Sequence, residues 1–82
     1  MSDDTRVEAL VRYLVESLVD DPSSVQIVTV DEPDSLTFEV RVAPDDMGKV
    51  IGRQGRIVKA IRTIARAAGT SGDKSVEVEV LD

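Results

Sequence analysis

Residues 47–72 read MGKVIGRQGRIVKAIRTIARAAGTSG, and their pattern decides how the rest of the chain is understood. Six basic residues (Lys49, Arg53, Arg56, Lys59, Arg62 and Arg66) and no acidic one fall in this stretch. The other 56 of the 82 residues carry sixteen acids against four bases. A region of +6 is therefore set in surroundings of −12, which gives the net charge of −6. At its centre Gly52-Arg53-Gln54-Gly55 brackets a basic tip with two glycines. Charge segregated in this way marks a place where an anion is met, even on an acidic protein.

Helical phase runs outward from those glycines. Ile57, Val58, Ile61, Ile64, Ala65 and Ala68 fall in one sector and predict a helix over about 55–68. Lys59, Arg62 and Arg66 cluster on the opposite side, with Arg56 at its edge beside the loop. Arg62 and Arg66, further along the helix, read as a solvated face or a partner contact rather than an RNA contact. Pro44-Asp45-Asp46 leads into a short helix over about 46–51. Gly69-Thr70-Ser71-Gly72 ends the longer helix with a glycine cap. Beyond it Val76, Val78 and Val80 alternate with Glu77 and Glu79, a strand over about 75–81.

Upstream, Leu36, Phe38, Val40 and Val42 alternate with Thr37, Glu39 and Arg41, a half-buried strand over about 36–42 with Phe38 in its apolar phase. Val25, Ile27 and Val30 predict another strand over about 25–31, joined to it by turn residues at Asp31-Glu32-Pro33-Asp34-Ser35. Val7, Leu10, Val11, Leu14 and Leu18, widened by Val15 and Val19, predict a helix over about 4–20. Thr5 and Glu8 read as its capping box, and Asp20-Asp21-Pro22 stops it. The order is α-β-β-α-α-β in a single domain over residues 1–82. The fold class is α+β, with helices on one face of a small sheet and Thr37, Glu39, Arg41, Glu77 and Glu79 on a wet face.

Composition excludes several functions. The chain has no Cys and no His, so it lacks disulfides, a thiol nucleophile, a neutral-pH acid–base side chain and the usual zinc ligands. The Asp pairs at 3/4, 20/21 and 45/46 read as helix punctuation, and Gly52 to Gly55 lacks phosphate-loop spacing. No catalytic residue, cofactor or metal site is expected. Apolar runs of two or three residues span no membrane, and the acidic, polar N-terminus is not a signal peptide. A cytoplasmic location is expected.

Two glycines three apart let a backbone turn tightly and approach a ligand closely. The following helix adds unpaired amides that favour phosphate, and arginine adds bidentate grip. The loop alone fits either an anion site or a plain helical corner with a solvated basic face. The wider context is more specific. Val50-Ile51-Gly52-Arg53-Gln54-Gly55-Arg56-Ile57-Val58-Lys59-Ala60-Ile61, with aliphatics at Val58 and Ile61, resembles the KH-domain signature. The α-β-β-α-α-β order is that of the type II KH fold, and a chain of this length resembles the small bacterial KhpA family of RNA-binding proteins.

That resemblance implies a protein that binds single-stranded RNA in post-transcriptional regulation, its loop clamping the backbone of about four nucleotides. Gly52 and Gly55 would permit close approach, Arg53 and Gln54 would contact phosphate, and Lys49, Arg56 and Lys59 would extend the basic track. Bases would lie between the loop-side helices and the edge of the second strand, residues 37–42, with Ile51, Val58 and Ile61 packed beneath the loop and at most the edges of Val50 and Ile57 as a floor. Three or four neutralised phosphates predict a salt slope of roughly −2 to −3. Without surface aromatics one such site is weak. The resemblance accordingly implies a homodimer or a heterodimer with a larger KhpB-like KH protein. The alternative function is a KH-fold protein-interaction module with RNA secondary.

Overall fold

In the computed structural model, which describes residues 3–69 and 74–81, the alternations and helical stripes become α1 (Asp3–Leu18), β1 (Gln26–Asp31), β2 (Ser35–Arg41), α2 (Met47–Ile51), α3 (Arg56–Ala68) and β3 (Ser75–Leu81). Single 3₁₀ turns occupy Pro22–Ser24, Pro44–Asp46 and Arg53–Gly55. The architecture is α+β in the expected α-β-β-α-α-β order, with one mixed sheet ordered β1-β2-β3. β1 and β2 are antiparallel, with Ile27 opposite Val40 and Thr29 opposite Phe38. β3 lies parallel to β2, with Leu36 opposite Val76 and Val40 opposite Val80. A parallel return needs a crossover, and α2 and α3 supply it.

Period two sorts the strand residues. Leu36, Phe38 and Val40 are buried on one face of β2, and Val76 and Val78 join them from β3. Val7, Val11 and Val15 of α1, Val50 of α2 and Ile61 and Ala65 of α3 close over that face. Phe38 has no exposed surface, so it is core, not a stacking platform. Thr37, Glu39, Arg41, Glu77 and Glu79 occupy the other face.

Several local expectations change. The centre of α1 is Val7, Val11 and Val15, whereas Leu10 and Leu14 flank it and Leu18 is exposed. The helix begins at Asp3, so Thr5 lies within its first turn, and Glu8 accepts a 3.2 Å hydrogen bond from the Thr29 hydroxyl. It ends at Leu18: the Val19 N–H still donates to Val15 O at 3.3 Å, but the following N–H groups, of Asp20 and Asp21, are captured by the Asp46 carboxylate at 3.1 and 3.0 Å. Asp46 therefore does not cap α2 with its side chain. On α3, Ile61 and Ala65 are buried and Ile57 and Val58 half-buried, but Ile64 and Ala68 are exposed. Gly69 closes α3 by donating its N–H to Ala65 O at 3.0 Å, with a negative φ of −99°. Residues 70–72 of the expected cap lie outside the described residues.

Candidate nucleic-acid interface

The loop between α2 and α3 is shaped by three left-handed residues. Gly52 has φ 76° and ψ 172°, Gln54 φ 58° and ψ 25°, and Gly55 φ 73° and ψ 16°. The Gly52 N–H donates to Gly48 O at 2.9 Å and ends α2, and the Gly55 N–H donates to Gly52 O at 3.1 Å. The two glycines are needed for different reasons. A Cβ on Gly52 would stand 2.5 Å from Ile57 Cγ1 and 2.9 Å from Ile57 Cβ, whereas one on Gly55 would meet only Val58 Cγ1 at 3.9 Å. Gly52 thus serves both backbone conformation and close packing against α3, and Gly55 serves conformation alone.

Below the loop a shallow groove runs between the helices and β3, lined by Ile51, Val58, Arg62 and the β3 residues Val78, Glu79, Val80 and Leu81. Its strand is β3 and not β2. The expected groove along residues 37–42 is corrected by the sheet order, since β2 is central and pairs on both sides. The Ser75 N–H donates to Asp34 O at 3.0 Å, which directs the backbone groups of residues 75, 77, 79 and 81 toward β2. Those of Val76, Val78 and Val80 consequently point to the open edge. A planar group lying in the groove meets an aliphatic floor of Ile51 and Val58, not of Val50 and Ile57 as expected, since Val50 is fully buried, and at Val80 it meets one outward N–H and one outward carbonyl.

The KH-domain profile described as KhpA/KhpB matches residues 8–80. The chain belongs to the KhpA/KhpB KH-domain family. Among its relatives, the RNA-binding protein KhpA of Clostridium acetobutylicum is 48% identical over 75 residues, covering 92% of this chain and 100% of the relative. That of Listeria monocytogenes is 43% identical over 76 residues, covering 93% and 100%. That of Caldanaerobacter subterraneus is 46% identical over 72 residues, covering 88% and 96%. No solved structure matches this chain.

The KhpA/KhpB resemblance named seven site residues, and the structure distributes them unequally. Arg53 and Lys59 are exposed and form no side-chain ion pair or hydrogen bond among the described residues. Among the described residues Arg56 donates only to Gln54 Oε1, at 3.3 Å, so no carboxylate there compensates its charge beside the loop. Gly52, Arg53, Gln54, Gly55, Arg56 and Lys59 thus gather on the loop and the first turn of α3. Lys49 stands apart, because its ammonium binds the carboxylates of Asp20 and Asp46. Arg62 and Arg66, expected on a solvated face or at a partner contact, reach Glu77 and carbonyl oxygens of β3 within the chain. Sequence reasoning did not reach the Val80 edge, because its openness depends on pairing between distant segments.

Asp46, immediately before α2, is buried, with 2% of its surface exposed. The Asp20 N–H chiefly, with the Asp21 N–H and the Lys49 ammonium, holds its carboxyl below the ordinary carboxylate range, against the opposing effect of burial. A depressed carboxyl contributes stability that is fully present above its unfolded pKa of about 3.9 and is lost as pH falls through the lower folded value. Asp46→Asn should therefore melt below wild type near neutral pH, and the two melting curves should converge once pH drops well below about 4. Thermal unfolding across an acid pH series measures this. A gap that persists undiminished in acid would show that the charge of Asp46 is not what holds the turn.

Proposed function

We propose that this chain is a single-stranded RNA-binding protein that clamps a phosphate backbone of about four nucleotides with Gly52-Arg53-Gln54-Gly55. The observation that carries it is the pairing of the unpartnered loop cations with the aliphatic groove beneath them. Phosphates lie along Arg53, Arg56 and Lys59, where the glycines admit close backbone approach. Bases lie over Ile51 and Val58 toward Val80, whose outward N–H and carbonyl can meet a base edge. Phosphate contacts position the strand and base-edge contacts discriminate weakly. The KhpA relatives, named as RNA-binding proteins, support the same function.

The chain has a surface aromatic after all, Tyr13 on α1, but it does not line the groove; Phe38 is buried and there is no Trp. Stacking thus adds nothing in the groove, and one site binds weakly. Useful affinity comes from a second site, on another copy of this chain or on a larger KH-domain partner, because tethering multiplies weak affinities. Tyr13 and Ile64, 68% and 42% exposed, offer apolar surface for such contact. The bound RNA is thereby regulated after transcription.

The test is fluorescence anisotropy with a short single-stranded RNA over a salt series. With Lys49 engaged elsewhere, three cations meet phosphate, so the logarithm of affinity should fall against that of salt with a slope of about −2. Absence of binding even at low salt would favour the protein-interaction module, for which the exposed Tyr13 and Ile64 speak.

A further inference from the structure

The open edge of β3 is not uniformly open. Arg66 Nε donates to Val76 O at 2.9 Å, and Arg62 Nη2 donates to Val78 O at 3.2 Å. Both carbonyls belong to residues whose backbone groups point away from β2. The same guanidiniums continue around the rim to Glu77, whose side chain leaves the opposite face of the sheet. Arg66 Nη2 donates to Glu77 Oε1 at 2.6 Å, and Arg62 Nε lies 3.3 Å from Glu77 Oε2 without hydrogen-bond alignment. Two arginines from the helical layer thus strap the edge of β3 and buckle on one carboxylate of the wet face.

The strap overlaps the inner end of the groove. Arg62 and Val78 line the groove, whereas Arg66, Val76 and Glu77 do not. Along α3 the groove runs only from Val58 to Arg62, about 6 Å of helix rise. One turn further on, Arg66 occupies the acceptor that a longer ligand would reach. Unpaired strand edges are normally protected by charged side chains, and here the protection covers one part of the edge and leaves Val80 free.

Resting on the RNA-binding function proposed above, we infer that Arg62 and Arg66, buckled on Glu77, set the inner end of the single-stranded site at Val80 and so determine its length. The strap holds two of the six basic residues of the 47–72 stretch out of the phosphate track. It masks the Val76 and Val78 carbonyls from base edges. Releasing it opens the edge from Val80 back to Val76, about 13 Å of strand.

The experiment measures affinity against a ladder of single-stranded oligouridylates of increasing length. Wild type should gain affinity up to about four nucleotides and then level off. A variant without the strap (Arg62→Ala, Arg66→Ala and Glu77→Gln together) should level off about one or two nucleotides later, in keeping with the ~13 Å of edge exposed. Glu77→Gln alone keeps both arginines and serves if the triple variant does not fold. It should also shift the plateau outward, whereas Glu39→Gln, equal in charge but on the central strand, should not. A plateau at the wild-type length in Glu77→Gln and in a folded triple variant overturns the inference. Self-association of the triple variant with an unchanged plateau also overturns it, since the strap then only protects an edge. Failure of wild type to bind any oligouridylate or other short RNA would instead sink the RNA-binding function itself, before any variant is compared.

Discussion

Arg53→Asp combined with Gln54→Asp is expected to weaken binding to short single-stranded RNA by about 100-fold or more at moderate salt, with little change in melting temperature. Removing a charge-assisted phosphate contact costs about 1.5–3 kcal/mol, and two carboxylates at the tip add repulsion. The fold should tolerate the change because both side chains are exposed and neither touches the core. Gln54 already sits at a left-handed φ of 58°, a region that Asp enters more readily than most residues. The cost of folding should stay within about 0.5 kcal/mol, as for surface changes elsewhere. Anisotropy and thermal unfolding on the same preparation separate the two effects. Binding that survives in a folded double variant would show that the loop is not the clamp.

Gly52→Ala should have the largest effect on the fold of any single methyl added to this loop. Its φ of 76° with ψ of 172° is available almost only to glycine, and the added Cβ would collide with Ile57 at 2.5 Å. Strain of about 1–3 kcal/mol and overpacking of about 1–3 kcal/mol act together here. A domain of this size has a total stability of roughly 4–12 kcal/mol, so the loss is a large fraction of it. Gly55→Ala, with the same hand of φ but open space at the Cβ, should cost only about 1–2 kcal/mol. Denaturant unfolding of the two variants compares them directly. Equal losses would show that contact with Ile57 contributes nothing and that backbone conformation alone requires glycine at 52.

Much of this protein is determined by local pattern. The alternation Leu36-Phe38-Val40 and Val76-Val78-Val80 fixes which strand faces are buried, because side chains on a strand have period two. The glycine spacing around Arg53 and Gln54 specifies the loop, since its left-handed angles are a property of three neighbouring residues. The family follows from the same residues. Helical phase was legible at its centre, where it placed Ile61 and Ala65 inside, but it also placed Ile64, Ala68 and Leu18 there, and these are exposed.

Pairing at a distance was decided only in three dimensions. Nothing in residues 36–42 says that this strand is central, and nothing in residues 75–81 says that its outer edge is free. The register of β2 with β3 settles both and moves the groove to Val80. The basic residues divide by the same cause. Lys49 meets Asp20, and Arg62 and Arg66 meet Glu77, because chain segments ten or more residues apart are folded against one another, while Asp46 reaches Lys49 locally, three residues away. Arg53, Arg56 and Lys59 keep their charge free, because the loop carries them away from every carboxylate among the described residues. The sequence by itself determined the loop, the element order and the charge of the 47–72 stretch, all of which are local. Only the tertiary structure decided which of those charges remain available, because neutralisation depends on what long-range packing brings within reach.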